Sequence, residues 1–146
     1  ESTTTKSLFD LLCFLNTNPY WLDNLQLSII PILNPDGAEV YTRVNANQVD
    51  LNRDALDLSQ VESRVLREEF DQFSPDFAFN LHDQRTIFGV NGKPATVSLL
   101  APAFDLDRNY NPCRTLAAQL ASTIFKGLQP LIGSQIGRFD DSFYTL

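Results

Sequence analysis

Leu8, Leu11, Leu12 and Leu15 recur three or four residues apart, as on one face of a helix. The hydroxyls of Ser2, Thr3, Thr4 and Thr5 offer N-caps before them, so residues 2–16 are expected to be helical. Asn18-Pro19 then stops that helix. Residues 25–33 are dense in Leu and Ile and bounded by turn formers, the pattern of a strand buried on both faces. A polar stretch follows over residues 34–54, and loops of that length are usually functional or disordered. Val61, Val65, Leu66, Phe70 and Phe73 form an apolar stripe, predicting a helix over 59–73 with Ser59 and Glu62 as a capping box. Residues 77–81 read as a short strand, 84–95 as a Gly- and Pro-containing connection, and 96–100 as another strand. Leu116, Leu120, Ile124 and Leu128 share one face of a helix expected over 112–128, and the tail from 135 to 146 reads as irregular.

Strands alternating with helices predict an α/β fold: a mostly parallel mixed sheet flanked by helices. Ligands of such sheets bind outside the carboxyl ends of the strands. The 34–54 loop follows one strand end and His82 closes another, so the two are expected to meet at one edge of the sheet.

Composition narrows the function. A chain of 146 residues is expected to form one domain spanning 1–146, long enough to bury about 68–70% of its unfolded surface if the fold is complete. No apolar run approaches the roughly 20 residues of a membrane span, and no signal-peptide pattern opens the chain. A formal charge of −7 has the wrong sign for nucleic-acid backbones. Cys13 and Cys113 lack any C-x-x-C spacing and are expected to be buried free thiols, although one disulfide between them stays open, and the compartment with it. Methionine is absent even at position 1, so the chain is expected to be a processed product or a fragment.

The candidate chemistry is concentrated in the polar loop. Asn34-Pro35-Asp36-Gly37 makes a tight turn. Arg43 and Arg53 follow, and a guanidinium grips a carboxylate or oxyanion through two parallel hydrogen bonds. Asp50 is placed to cap the loop or to pair with an arginine. His82 is the only histidine; a neutral imidazole at a strand end is a metal ligand or a hydrogen-bonded structural group, and one histidine alone makes no zinc site.

In order, Asn34-Pro35-Asp36-Gly37, Arg43, Asp50-Leu51-Asn52-Arg53 and His82 after Phe79-Asn80-Leu81 resemble the zinc metallocarboxypeptidase family. That family carries H-x-x-E, N-P-D-G after a strand, an arginine, D-x-N-R and a third-ligand histidine. The resemblance spans residues 1 to about 100. It implies a carboxypeptidase-like fold and hydrolysis of C-terminal residues from peptides. It also implies one zinc ion with Glu1 and His82 among its ligands, Glu1 standing where the glutamate of H-x-x-E would. Arg43 would stabilise the oxyanion of peptide hydrolysis. Asn52 and Arg53 would hold the free C-terminal carboxylate of the substrate.

The chain also departs from that pattern. The first histidine of H-x-x-E would sit three residues before Glu1, and no glutamate follows His82 to act as general base. Asp140 and Asp141 are poor substitutes, and Tyr110 and Tyr144 have no context matching the family's mobile tyrosine. Gln48 stands where many members have Gly, which often supplies a positive φ; Asp54 after the Asn-Arg pair is a second departure. The expectation is an incomplete catalytic domain lacking N- and C-terminal parts, not a competent peptidase by itself, and prone to self-association through exposed sheet edges. Two rivals share the loop: a zinc-dependent N-acyl amino acid hydrolase of the desuccinylase or aspartoacylase kind, and a non-catalytic module that binds peptide carboxylates.

Overall fold

The computed structural model describes residues 2–83, 89–90, 92–103, 105 and 107–138. Glu1, Asp140, Asp141 and Tyr144 lie outside the described residues. The chain divides into two compact units, Glu1–Asp83 and Gln84–Leu146.

In the first unit, α1 spans Ser2–Thr17. It ends where the Asn18 amide donates back to Phe14 O at 2.9 Å and the Asn18 side chain donates to the same carbonyl, just before Pro19 removes a donor. A 3-10 turn over Pro19–Asp23 follows. Residues 24–33 run on without helix or strand pairing. The polar stretch then folds into a short helix, α2 (Pro35–Val40), and a 3-10 turn over Leu51–Arg53. Helix α3 spans Val61–Phe73 and ends on Ser74 in the left-handed region.

The second unit holds the strands. β1 (Gly89–Val90) pairs antiparallel with β2 (Lys93–Pro94). β3 (Val97–Leu99) pairs in parallel with β4 (Ile136–Arg138), and α4 (Pro112–Ile132) lies between them in sequence. Parallel neighbours need such a crossover, and a helix is its usual form. Asn111 caps α4 by accepting from the Arg114 amide at 2.8 Å, and Pro112 occupies the first turn, where its missing N–H costs nothing. Arg114 is buried, donates to Arg108 O and lies over the Tyr110 ring at 4.5 Å.

Among the described residues the fold mixes helices with two small sheets, which agrees with the α/β expectation in coarse form. Three finer expectations need correction. Residues 25–33 and 77–81 are not strands among the described residues, and Leu25, Leu27, Ile30, Ile32, Phe77, Phe79 and Leu81 stay exposed. A strand buried on both faces takes its definition from neighbouring strands, which periodicity alone does not supply. The tail expected to be irregular contributes β4. Cys13 and Cys113 are free, as expected, but exposed.

Burial in the first unit is thin. Among its described residues, Leu15 and Leu51 are the buried large apolar side chains. A groove of about 480 Å³ opens beside residues 28–33, walled by Ile30, Ile32 and Pro35 with Val61, Val65 and Glu69 of α3. No helix among the described residues is long and apolar enough to cross a membrane.

Candidate functional site: an arginine loop docked on α3

The Asn34-Pro35-Asp36-Gly37 turn is the N-terminus of α2. Asn34 Oδ1 accepts from the Gly37 amide at 2.9 Å, and its Nδ2 donates to Arg43 O at 3.3 Å. One side chain thus ties the turn to the backbone of the first arginine. Gly37 is required by close approach: a Cβ there would lie 2.3 Å from Asn34 Nδ2 and 2.7 Å from Thr42 O.

The two arginines share an acidic neighbour. Arg43 Nε donates to Asp50 Oδ2 at 2.7 Å, while Asp50 Oδ1 accepts from the Asn52 amide at 3.0 Å. Asp50 therefore does both things the sequence allowed, capping the 3-10 turn and pairing with an arginine. Partial burial pushes its carboxyl up. The Arg43 bond, the Asn52 amide and the charges of Arg43 and Arg53 outweigh that and hold it below the usual carboxylate range. Arg53 Nη1 donates to Asn52 O at 3.0 Å, and Arg43, Asn52 and Arg53 are exposed. Bonding through Nε uses one of the five donors of Arg43. The structure thus gathers Arg43, Asp50, Asn52 and Arg53 in one exposed loop.

Two buried polar residues hold this loop, and sequence reasoning missed both roles. Asn45 is 3% exposed. Its Oδ1 accepts from the amides of Asn47 and Val49, both at 3.0 Å. Its Nδ2 donates to Gln60 Oε1 at 3.0 Å and to Glu62 Oε1 at 3.2 Å. Asp54, also 3% exposed, accepts from Ser59 Oγ at 2.6 Å, the Ser59 amide at 3.0 Å and the Gln60 amide at 2.9 Å. The Ser59 hydroxyl, with that of Ser63 nearby and the two amides, overcomes desolvation and drives the Asp54 carboxyl far below its ordinary value. Ser63 Oγ is buried and makes no hydrogen bond of its own among the described residues, so it acts as a nearby dipole.

The expected capping box is consequently absent. α3 begins after Gln60, whose side chain does not cap it; Ser59 is engaged by Asp54 and Glu62 by Asn45. The signal was an acidic residue six positions before the N-cap Gln60, close enough for its carboxylate to take the amides of Ser59 and Gln60 just ahead of the helix.

His82 is exposed, in a segment outside helix and strand that returns to α1. Its neighbour Asp83 accepts from the Thr4 amide through Oδ1 at 3.2 Å, and Thr5 Oγ1 donates to Pro31 O at 3.2 Å. The first turn of α1 therefore joins the segment carrying His82 to the one leading into Asn34-Pro35. Glu1, the other expected metal ligand, lies outside the described residues. A catalytic zinc site uses three protein ligands. Among the described residues no group of three His, Cys, Asp or Glu side chains is arranged to hold a metal, and of the expected ligands His82 alone is described.

Part of the chain is similar to proteins named carboxypeptidase. It is 33% identical over 87 residues to Carboxypeptidase 2 of Trichophyton rubrum, a match covering 57% of this chain and 16% of that protein. Probable carboxypeptidase 2 of Trichophyton verrucosum is 32% identical over 87 residues, covering 57% and 17%. Carboxypeptidase SOL1 of Arabidopsis thaliana is 56% identical over 36 residues, covering 25% and 7%. The chain is carboxypeptidase-like over this partial stretch. It spans about one sixth of the length of the Trichophyton proteins it matches. No family model matches it, and no solved structure does.

Proposed function

We propose that this chain is part of a metallocarboxypeptidase-type catalytic domain, whose arginine loop grips peptides by their free C-terminal carboxylate. The observation that carries the reading is the Arg43–Asp50–Asn52 linkage, which holds the Arg43 guanidinium in the same exposed loop as Asn52 and Arg53. The partial similarity to carboxypeptidases supports it. In this reading Asn52 and Arg53 hold the carboxylate, so cleavage is confined to the chain end. Arg43, steadied through Nε, offers its terminal nitrogens to charge that develops on the scissile carbonyl. Zinc belongs to the proposal with Glu1 and His82 as ligands, and when bound it would supply a Lewis acid.

The same proposal holds that these 146 residues by themselves do not turn over peptides. They contain one histidine, and no glutamate beyond Glu69. What they retain is recognition, which also favours the second reading, a carboxylate-binding module. The exposed apolar segments at 25–33 and 77–81 further support self-association.

The test pairs binding with turnover. Calorimetry should show a peptide with a free C-terminus binding more tightly than its C-terminal amide, while hydrolysis with added zinc stays at background. Equal binding of acid and amide would overturn the carboxylate grip. Zinc-dependent turnover by this chain alone would overturn the proposed inactivity, and a panel including N-acyl amino acids would then show whether peptides are the preferred substrate.

A further inference from the structure

Each arginine of the loop stands beside a buried polar anchor, and both anchors converge on one residue. Asn45 follows Arg43 by two positions, and its Nδ2 donates to Gln60 Oε1 at 3.0 Å. Asn47 Nδ2 donates to the same oxygen at 2.8 Å. Asp54 follows Arg53 directly and accepts from the Gln60 amide at 2.9 Å. The side chain of Gln60 thus holds the Arg43 end of the loop, and its backbone holds the Arg53 end. Ser59 clamps the second anchor further, through a 2.6 Å hydroxyl bond to Asp54.

Buried hydrogen bonds of this kind define geometry because leaving them unmade is costly. Two long arginines on an otherwise exposed loop would sample many separations, whereas bidentate recognition of a carboxylate needs a narrow range. We infer that Gln60, with Asn45 and Asp54 docked on it, is a positioning residue that sets the spacing of Arg43 and Arg53 and so determines how well the loop distinguishes a carboxylate from a neutral amide. Gln60 need not touch the substrate. This inference rests on the carboxylate grip proposed above.

The test compares the ratio of free-acid to C-terminal-amide peptide affinity in the 146-residue chain and its variants. Gln60→Ala removes the oxygen that receives Asn45 and Asn47. Gln60→Glu keeps an acceptor at that position, with the same side-chain length. The ratio should fall about tenfold in Gln60→Ala, the size expected for one misplaced charge-assisted contact, and recover in Gln60→Glu. Ser59→Ala is the milder second variant, since it spares both backbone donors to Asp54; it should lower the ratio in the same direction. A purely structural role would instead lower the melting temperature while weakening both peptides equally, and that result overturns the inference. Arg53→Ala separates the two layers. If wild type discriminates and Arg53→Ala does not, yet Gln60→Ala keeps the wild-type ratio, positioning fails while the grip stands. If wild type shows no discrimination, the grip fails and the inference falls with it.

Discussion

Arg43 Nε and Asp50 Oδ2 lie 2.7 Å apart, and the same carboxylate receives the amide of Asn52, so one acidic side chain links both halves of the arginine loop. The pair is partly solvent-exposed, with side-chain exposures of 57% and 25%, so its share of global stability is small, about 0.5 kcal/mol. Its effect is local. Asp50→Asn should barely change the melting temperature while weakening free-acid peptide binding, as measured by titration calorimetry.

The pH dependence follows from the direction of the Asp50 shift. Its folded carboxyl lies below the ordinary value of 3.8, so the folded state favours the charged form. The associated stability is present at pH values above 3.8 and is lost as pH falls through the lower folded value. Asp54 behaves in the same way and is depressed further. Chemical denaturation should therefore show flat stability from these groups near neutrality and a decline below about pH 4. In Asp54→Asn that acid-side decline should shrink, together with a lower melting temperature at pH 7. An unchanged acid limb would show that Asp54 is not held as described.

Gln48 has φ of 62°, a conformation that favours glycine. The sequence marked this position as a departure from the Gly of the family it resembles, and glycine adopts a positive φ without the steric cost of a Cβ. Gln48→Gly should relieve about 1 kcal/mol of backbone strain, less the entropy glycine loses on folding. A raised denaturation midpoint with an unchanged slope would be the expected signature.

Gly37→Ala should act in the opposite sense. The added methyl would meet Thr42 O at 2.7 Å, and backbone yields less readily than a side-chain end. The expected cost is about 1–3 kcal/mol. Because Asn34 bridges Gly37 to Arg43 O, loop amide resonances near Arg43 should shift as well. Shifts confined to α2 would argue against that coupling.

The helices were legible because each carries its own signal: leucines at helical spacing in α1, an apolar stripe in α3, and Leu116, Leu120, Ile124 and Leu128 on one face of α4. Asp50 was legible in kind, as cap or ion pair, since both are short-range options of one carboxylate. Residues 25–33 and 77–81 were not, because a strand exists only with a partner, and the parallel partner found for β3 lies beyond a whole helix at β4. The anchors Asn45 and Asp54 were missed for a related reason. Their partners are 15 and 5 residues away, and nothing in a polar loop announces which of its polar residues will be buried.

Association should follow from the surface of the first unit. Leu27, Ile32 and Phe79 are 48%, 49% and 62% exposed, on segments whose backbones have no strand partner among the described residues. Apolar chain whose backbone lacks a strand partner pairs readily with another copy. In sedimentation velocity, the average mass should rise above 16.4 kDa as concentration increases. Ile32→Lys and Phe79→Lys place charges on those segments without touching the arginine loop, so they should lower the mass toward the monomer and leave carboxylate binding unchanged. A chain that sediments as a monomer across the concentration range would show that these segments are satisfied within a single copy.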